Sequence, residues 1–226
     1  MTVRTASNTV FVAGLSLGTG GFAQSFNAQV TADNHYQLYI GNTAGTQLTF
    51  IGQNESGAGG STGANNWSVA ESWNFTLGAN QRIYLVAWDA GGQGGWLGQF
   101  TSVATTLLSG SSSWTYTASS AANPGDSQPN LLPTLLSDIA AASSGNTWTS
   151  NPGSYGANGV SPWGTVAGIS GSAQWLSVPS NGGSVMIFRS NYSGVAAVPE
   201  VPGWSAGVAV AALGVGAALR RRFRNR

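Results

Sequence analysis

The chain has 226 residues, enough for one ordinary domain with a closed core plus processing segments at its ends. Only 7% of residues are charged, lysine is absent, and nine Trp accompany eight Phe and six Tyr; low charge with many aromatics reverses the signature of disorder and favours a folded β protein. The absence of cysteine excludes disulfides, thiolate zinc sites and cysteine nucleophiles. Five of the eight arginines (Arg220, Arg221, Arg222, Arg224 and Arg226) crowd the last seven residues, so the body is mildly acidic and has no basic face for nucleic acid.

In chain order, residues 1–23 read as a secretory signal. Arg4 supplies the positive start, Val10 to Leu17 the apolar run, and Gly21-Phe22-Ala23 the small residues that place a cut after Ala23. The competing reading makes Thr9 to Ala13 a first strand. The body, 24–196, shows short strands between Gly/Asn/Ser turns, as a β-sandwich does. Phe26 to Val30 and His35 to Ile40 alternate with one buried and one wet face, separated by Asp33-Asn34. Gln47 to Gly52 returns, but Ile51 after Phe50 breaks the two-residue period.

After a Gly/Ser-rich stretch from Gln53 to Asn66, strands are expected at Trp67-Ser68-Val69 and Trp73 to Leu77. Arg82 to Trp88 is nearly all apolar, which predicts a central strand covered on both faces. Asp89 to Gly95 turns the chain into a strand from Trp96 to Phe100. An irregular insertion near 118–165 carries one short helix, Leu131 to Ala142, with Pro133 near its start and Leu135, Leu136, Ile139 and Ala140 at helical spacing. Ala173 to Leu176 and Ser184 to Arg189 are expected to close the body as a hairpin.

The end of the chain is ordered in three parts: Val198-Pro199-Glu200, a charge-free stretch from Trp204 to Leu219, then Arg220-Arg221-Arg222. Sixteen helical residues span roughly 24 Å, and flanking Trp and snorkelling Arg extend that reach towards the hydrocarbon thickness. The arginines act as the membrane stop on the cytoplasmic side. This order resembles the PEP-CTERM sorting signal of Gram-negative bacteria over residues 197–226, although Val201 stands where that family favours Pro. The resemblance implies processing by an exosortase-like membrane protease, with residues 204–219 in the membrane beforehand and the protein then at the cell surface or in the extracellular matrix. A plain tail anchor is the alternative. In the body, Thr31 to Gly41, and Ala173 to Leu176 with Val185 to Arg189, resemble galactose-binding-like jelly-roll domains, which implies the fold more than a sugar ligand.

The ligand-binding candidates are Asp33, Asn34, Asp89 and Trp96. Asp33-Asn34 suits a turn, since both side chains bond nearby amides; the alternative, oxygen ligands for Ca²⁺, lacks a second acid close in sequence. Trp96 follows a Gly-rich turn, where an exposed ring would stack on a sugar, although most of Trp67, Trp73, Trp96, Trp114, Trp148 and Trp163 are expected to pack inside. The lone His35 reads as an ordinary half-buried strand residue. Glu55, Glu71 and Asp89 are the acids from which a glycosidase pair would be drawn, but no catalytic constellation is legible. The expectation is an all-β, jelly-roll-like antiparallel sandwich with one short helix and a C-terminal transmembrane helix, acting as an exported, non-enzymatic surface or matrix protein without cofactor. The alternative function is a carbohydrate-binding module that ties the cell to exopolysaccharide.

Overall fold

In a computed structural model, residues 23–54, 67–110 and 112–194 are described. The signal segment through residue 22, Glu55, and the sorting tail with its membrane segment lie outside them. Among the described residues no helix is long and apolar enough to cross a membrane.

Twelve strands in the described residues form two six-stranded antiparallel sheets. One sheet runs β10 (Ser154–Ala157), β11 (Gln174–Val178), β6 (Gly94–Thr101), β1 (Gln24–Asp33), β4 (Glu71–Leu77), with β7 (Thr106–Leu108) also paired to β6. The other runs β3 (Leu48–Gln53), β2 (His35–Asn42), β5 (Gln81–Trp88), β12 (Met186–Ser190), β8 (Trp114–Ala118), β9 (Thr149–Ser150). The chain changes sheet at the β1–β2, β3–β4, β4–β5, β5–β6, β7–β8, β9–β10 and β11–β12 connections, so most neighbours in sequence lie in opposite sheets.

Alternation along each strand explains the core. Phe26, Ala28, Val30 and Ala32 of β1 meet Tyr36, Leu38 and Ile40 of β2 between the sheets, joined by Trp96, Phe100, Trp114 and Phe188. Along β5 the sides split: Ile83, Leu85 and Ala87 enter this inter-sheet core, while Tyr84, Val86 and Trp88 point the other way. There they meet Leu135 and Ile139 of the helix α1 (Leu132–Ser144). The near-continuous apolar sequence of β5 therefore has a cause, since β5 sits between β2 and β12 and is covered on both faces. On the outer face of the other sheet, Leu97 and Trp175 are capped by Trp163, Val166 and Ile169.

Several expectations meet the structure directly. The helix is where its spacing put it, starting one residue later and ending two residues later; Asn130 Oδ1 accepts from Leu132 N (3.0 Å) at its start. The break in period at Ile51 is a register shift: Leu38 pairs with Gly52 and Tyr39 with Phe50, leaving Ile51 as the extra residue. Ile51 packs on the inter-sheet core, whereas Phe50 is left half exposed on the outer face.

The closing hairpin is corrected. β11 pairs with β10 and β6, while β12 pairs with β5 and β8 in the opposite sheet. Both segments are apolar and adjacent in sequence, but the largely exposed Pro179–Val185 connection passes from one sheet to the other over the end of the sandwich instead of folding a hairpin. Trp67-Ser68 lies in a 3₁₀ turn rather than a strand. The stretch expected to be irregular holds β9 and β10 as well as the helix.

The turn between β2 and β3 fixes α1. Gly45 has φ +73°, and a Cβ there would run into Ile139 Cγ2 and approach Ala140 N to 2.7 Å. Gly45→Ala combines a left-handed backbone penalty of about 1–2 kcal/mol with this clash. It should lower the thermal midpoint measurably, checked by calorimetry beside the exposed Gly91→Ala as a control.

Candidate functional site

Pairing register gathers the sequence-selected acids at one end of the sandwich. Asp33, the last residue of β1, lies opposite Gly95, and His35, the first of β2, opposite Trp88. Val178 lies opposite Gly94 and Met186 opposite Ala87. The Asp33–Asn34 turn, the Asp89–Gln93 loop and the β11–β12 connection therefore converge.

Their hydrogen bonds show what holds the end together. Asp33 Oδ2 accepts from Trp163 Nε1 (2.7 Å), and its Oδ1 from Asn34 Nδ2 (3.1 Å). Asn34 Oδ1 accepts from Ala90 N (2.8 Å), tying the first turn to the β5–β6 loop. Asp89 Oδ2 accepts from Asn181 N (2.7 Å), and the Asp89 carbonyl from Asn123 Nδ2 (2.9 Å). Burial raises the Asp33 carboxyl above its ordinary range; the Trp163 hydrogen bond opposes that, the nearby Asp89 charge adds to it and His35 opposes it. The Asp33–Asn34 peptide is cis. Asp33, Asn34 and Asp89 are thus brought together, as sequence separation alone did not reveal.

Trp96 is not with them as a binding surface. It is wholly buried, with its ring edge-on to Trp114 at 4.9 Å and to Phe188 at 5.5 Å. The stacking platform expected there is corrected: the Gly-rich turn ends before Trp96, and the strand's alternation carries its ring inward. Trp114 and Trp163 are buried too, while Trp67, Trp73 and Trp148 are partly covered. His35 is buried more fully than an ordinary strand residue and stacks on Trp88 at 5.4 Å. Glu71 and Asp89 are both 0% exposed, so neither carboxylate faces a cleft. Glu71 accepts from the Tyr36 hydroxyl (3.1 Å), which itself accepts from Trp73 Nε1 (2.7 Å). Among the described residues no three His, Asp or Glu side chains group as metal ligands.

A second place was not legible in the sequence. On the outer face of β2 and β3, a cavity of about 350 Å³ opens between Phe50, Tyr39, Gln37 and Gln53 on the sheet and Gln128 to Leu132 before the helix. Phe50 is 49% exposed and meets Tyr39 edge-on at 5.4 Å. Gln37 is fixed from both ends: its Oε1 accepts from the Tyr39 hydroxyl (2.7 Å), and its Nε2 donates to the Pro129 carbonyl (2.8 Å). Gln128 Nε2 donates to Asn54 O (2.8 Å), anchoring the opposite wall. The lining combines aromatic and amide groups and carries no charge. Its one sequence signal was the parity break that leaves Phe50 facing outward.

Trp96→Ala removes a fully enclosed indole, so a stability loss of about 3–5 kcal/mol is expected, read as a shift of the urea midpoint at constant slope. Unchanged stability would contradict the placement of this ring in the core. Compared with known proteins, the chain matches no protein-family model, no curated protein and no solved structure.

Proposed function

We propose that the chain is an exported, non-enzymatic surface or extracellular-matrix protein with a jelly-roll-type body, delivered by its N-terminal signal and processed at its C-terminal sorting signal. The observation that carries this reading is the order of Val198-Pro199-Glu200, the charge-free 204–219 and Arg220-Arg221-Arg222. The body is compatible with it: the described residues form two packed antiparallel sheets, and the chain contains no cysteine that would need oxidative folding. The repeated crossing between two antiparallel sheets supports the jelly-roll reading. In this scheme residues 204–219 hold the precursor in the inner membrane until an exosortase-like protease removes the tail. Cell fractionation with intact-mass measurement tests it. Extracellular protein should have lost residues up to Ala23 and the segment beyond the Pro199-Glu200 motif. Full-length protein found soluble in the cytoplasm, tail intact, defeats the proposal.

A second reading, that the body also binds carbohydrate, is favoured by the Phe50 cavity. A half-exposed ring beside fixed amides suits a sugar, whose C–H face stacks on an aromatic while its hydroxyls pair with amides. The uncharged lining favours neutral sugars. On a glycan array the protein should bind neutral polysaccharide, and Phe50→Ala should weaken binding at least about tenfold, near 1.4 kcal/mol, without loss of fold. An array without hits sinks this reading and leaves the export proposal standing.

A further inference from the structure

Sheet edges carry unpaired backbone N–H and C=O groups, and soluble β proteins keep them from pairing with other chains by shortening, bulging or charging the edge strands. Most edges of this sandwich are blunted in that way. β9 is two residues long, and β7, beside β6, is three. β3 is bulged at Ile51. β10 has four residues and shifts register between Ser154 and Gly156.

The edge formed by β4 has none of these protections. It ends its sheet, pairs with β1 alone and keeps an unbroken register from Glu71 to Leu77. It contains no proline, and its one acid, Glu71, is 0% exposed. The outward side chains are Ser72, Asn74 and Thr76, all exposed and neutral. Among the described residues, 72–76 make no backbone hydrogen bond outside the ladder with β1.

The strand is also complementary to itself. Laid antiparallel on a second copy at full overlap, its seven residues set Asn74 opposite Asn74, Ser72 opposite Thr76 and Trp73 opposite Phe75, and outward residues stay on one face. Hydroxyl and aromatic pairs directly opposite each other stabilise such a ladder. The outward row is already oriented, because Asn74 Oδ1 accepts from Asn27 Nδ2 (3.0 Å) and Ser72 Oγ from Gln29 Nε2 (2.7 Å). The Asn74 amide protons and the Ser72 hydroxyl proton remain to pair with Asn74 Oδ1 and Thr76 Oγ1 of a second copy. About a two-fold axis a charged edge would meet its own charge, and this one presents none.

We infer that β4 is the edge through which two copies of this chain associate, the two strands pairing antiparallel about a two-fold axis at Asn74 to make one sheet continuous across both copies. The inference is independent of export and of any sugar ligand. One added strand pair is a small interface, so the dimer is reversible and depends on concentration. Rival origins of self-association are Val103, 105% exposed beyond the end of β6, and the apolar segment 204–219.

The chain has no cysteine, so single introduced cysteines report proximity without interference. In full-length protein kept in mild detergent, Asn74→Cys should oxidise mainly to a disulfide-linked dimer, since opposed Cα atoms lie about 4.5–5.5 Å apart, within disulfide reach. Asn27→Cys, also exposed but one strand inward, would sit about 14 Å from its counterpart and should not cross-link. Sedimentation velocity over a concentration series should show a parent dimer that Asn74→Lys weakens at least about tenfold, because it sets like charges opposite each other. Asn27→Lys and Val103→Ser should leave the dimer unchanged. Circular dichroism checks that each variant is folded, and if Asn74→Lys is not, the cysteine pair decides. A parent that stays monomeric throughout the series overturns the inference. So does association that survives Asn74→Lys unchanged, which would assign it to the tail. Loss of the dimer in Val103→Ser, or equal cross-linking of Asn27→Cys, would place the contact on the outer face and overturn it as well.

Discussion

Two-sided burial of β5 is the constraint on which the rest of the architecture depends. A strand whose inward residues are Ile83, Leu85 and Ala87, and whose outward residues are Tyr84, Val86 and Trp88, exposes apolar surface whichever way it faces. One sheet packed on another covers only half of it. The remaining face demands a second cover, and the helix with Leu135 and Ile139 provides it. That demand explains why a predominantly β chain carries a helix at all. It also explains why the β2–β3 turn must come close enough for Gly45 to lie against Ile139 and Ala140. At roughly 25 cal/mol per Å² of apolar area removed from water, covering that face stabilises the domain by far more than any single hydrogen bond in it.

The other sheet solves the same problem without a helix. Leu97 and Trp175 point outward, and the segment from Trp163 to Ile169 folds over them, with Trp163 stacked on Trp175 at 4.4 Å. The Trp163 indole also donates to Asp33. Packing on this outer face is therefore joined to the polar end of the sandwich through one residue, whose ring serves the core and whose N–H serves a carboxylate. Asn123 plays a comparable part on the other side, donating to the carbonyls of Asp89 and Gly183 at 2.9 and 2.7 Å. Amides do here what charged side chains do in more highly charged proteins.

Local pattern made some of this legible. The apolar run Arg82 to Trp88 implied a strand covered twice, and the displaced Ile51 marked a bulge, because both follow from alternation within one strand. The helix was visible from its own spacing. What stayed hidden were relations between segments. Gln174 to Val178 and Met186 to Ser190 are as hydrophobic as the two arms of a hairpin, and nothing within them states that they belong to opposite sheets. Trp96 was misread because a Gly-rich turn next to an aromatic suggests exposure, whereas strand parity decides it. Trp114 to Ala118 does alternate Trp, Tyr and Ala with Thr, but over only five residues between polar flanks, a run too short to announce a strand on its own. Asp33 and Asp89 are 56 residues apart in the chain, and only the register of β1, β5 and β6 makes them neighbours. The cavity at Phe50 has the same origin, since its second wall, Gln128 to Leu132, comes from a stretch whose position on the sheet follows from the helix that succeeds it.

Surface chemistry connects the fold to the proposed setting. Of the acids in the described residues, Glu71 and Asp89 are buried, Asp33 is largely enclosed and Asp138 is spent on Ser119 and Ser120, leaving Asp126 as the freely exposed carboxylate. The two arginines are partly covered. The outer face of β1 and β4 is instead polar and neutral, with Asn27 Nδ2 donating to Asn74 Oδ1 (3.0 Å) and Gln29 Nε2 to Ser72 Oγ (2.7 Å). Such a surface is wetted by hydrogen bonding but generates little long-range repulsion, and a protein without that repulsion associates readily with its own copies and with other neutral polymers. For a cytoplasmic enzyme at high concentration that property is a liability. For a protein released among exopolysaccharide it is an advantage, because neutral amides and hydroxyls exchange hydrogen bonds with sugar hydroxyls with little dependence on salt. Scarcity of charge therefore acts twice: inside, Asp33 and Asp89 have no arginine near them, and outside, the described face of β1 and β4 is polar but neutral.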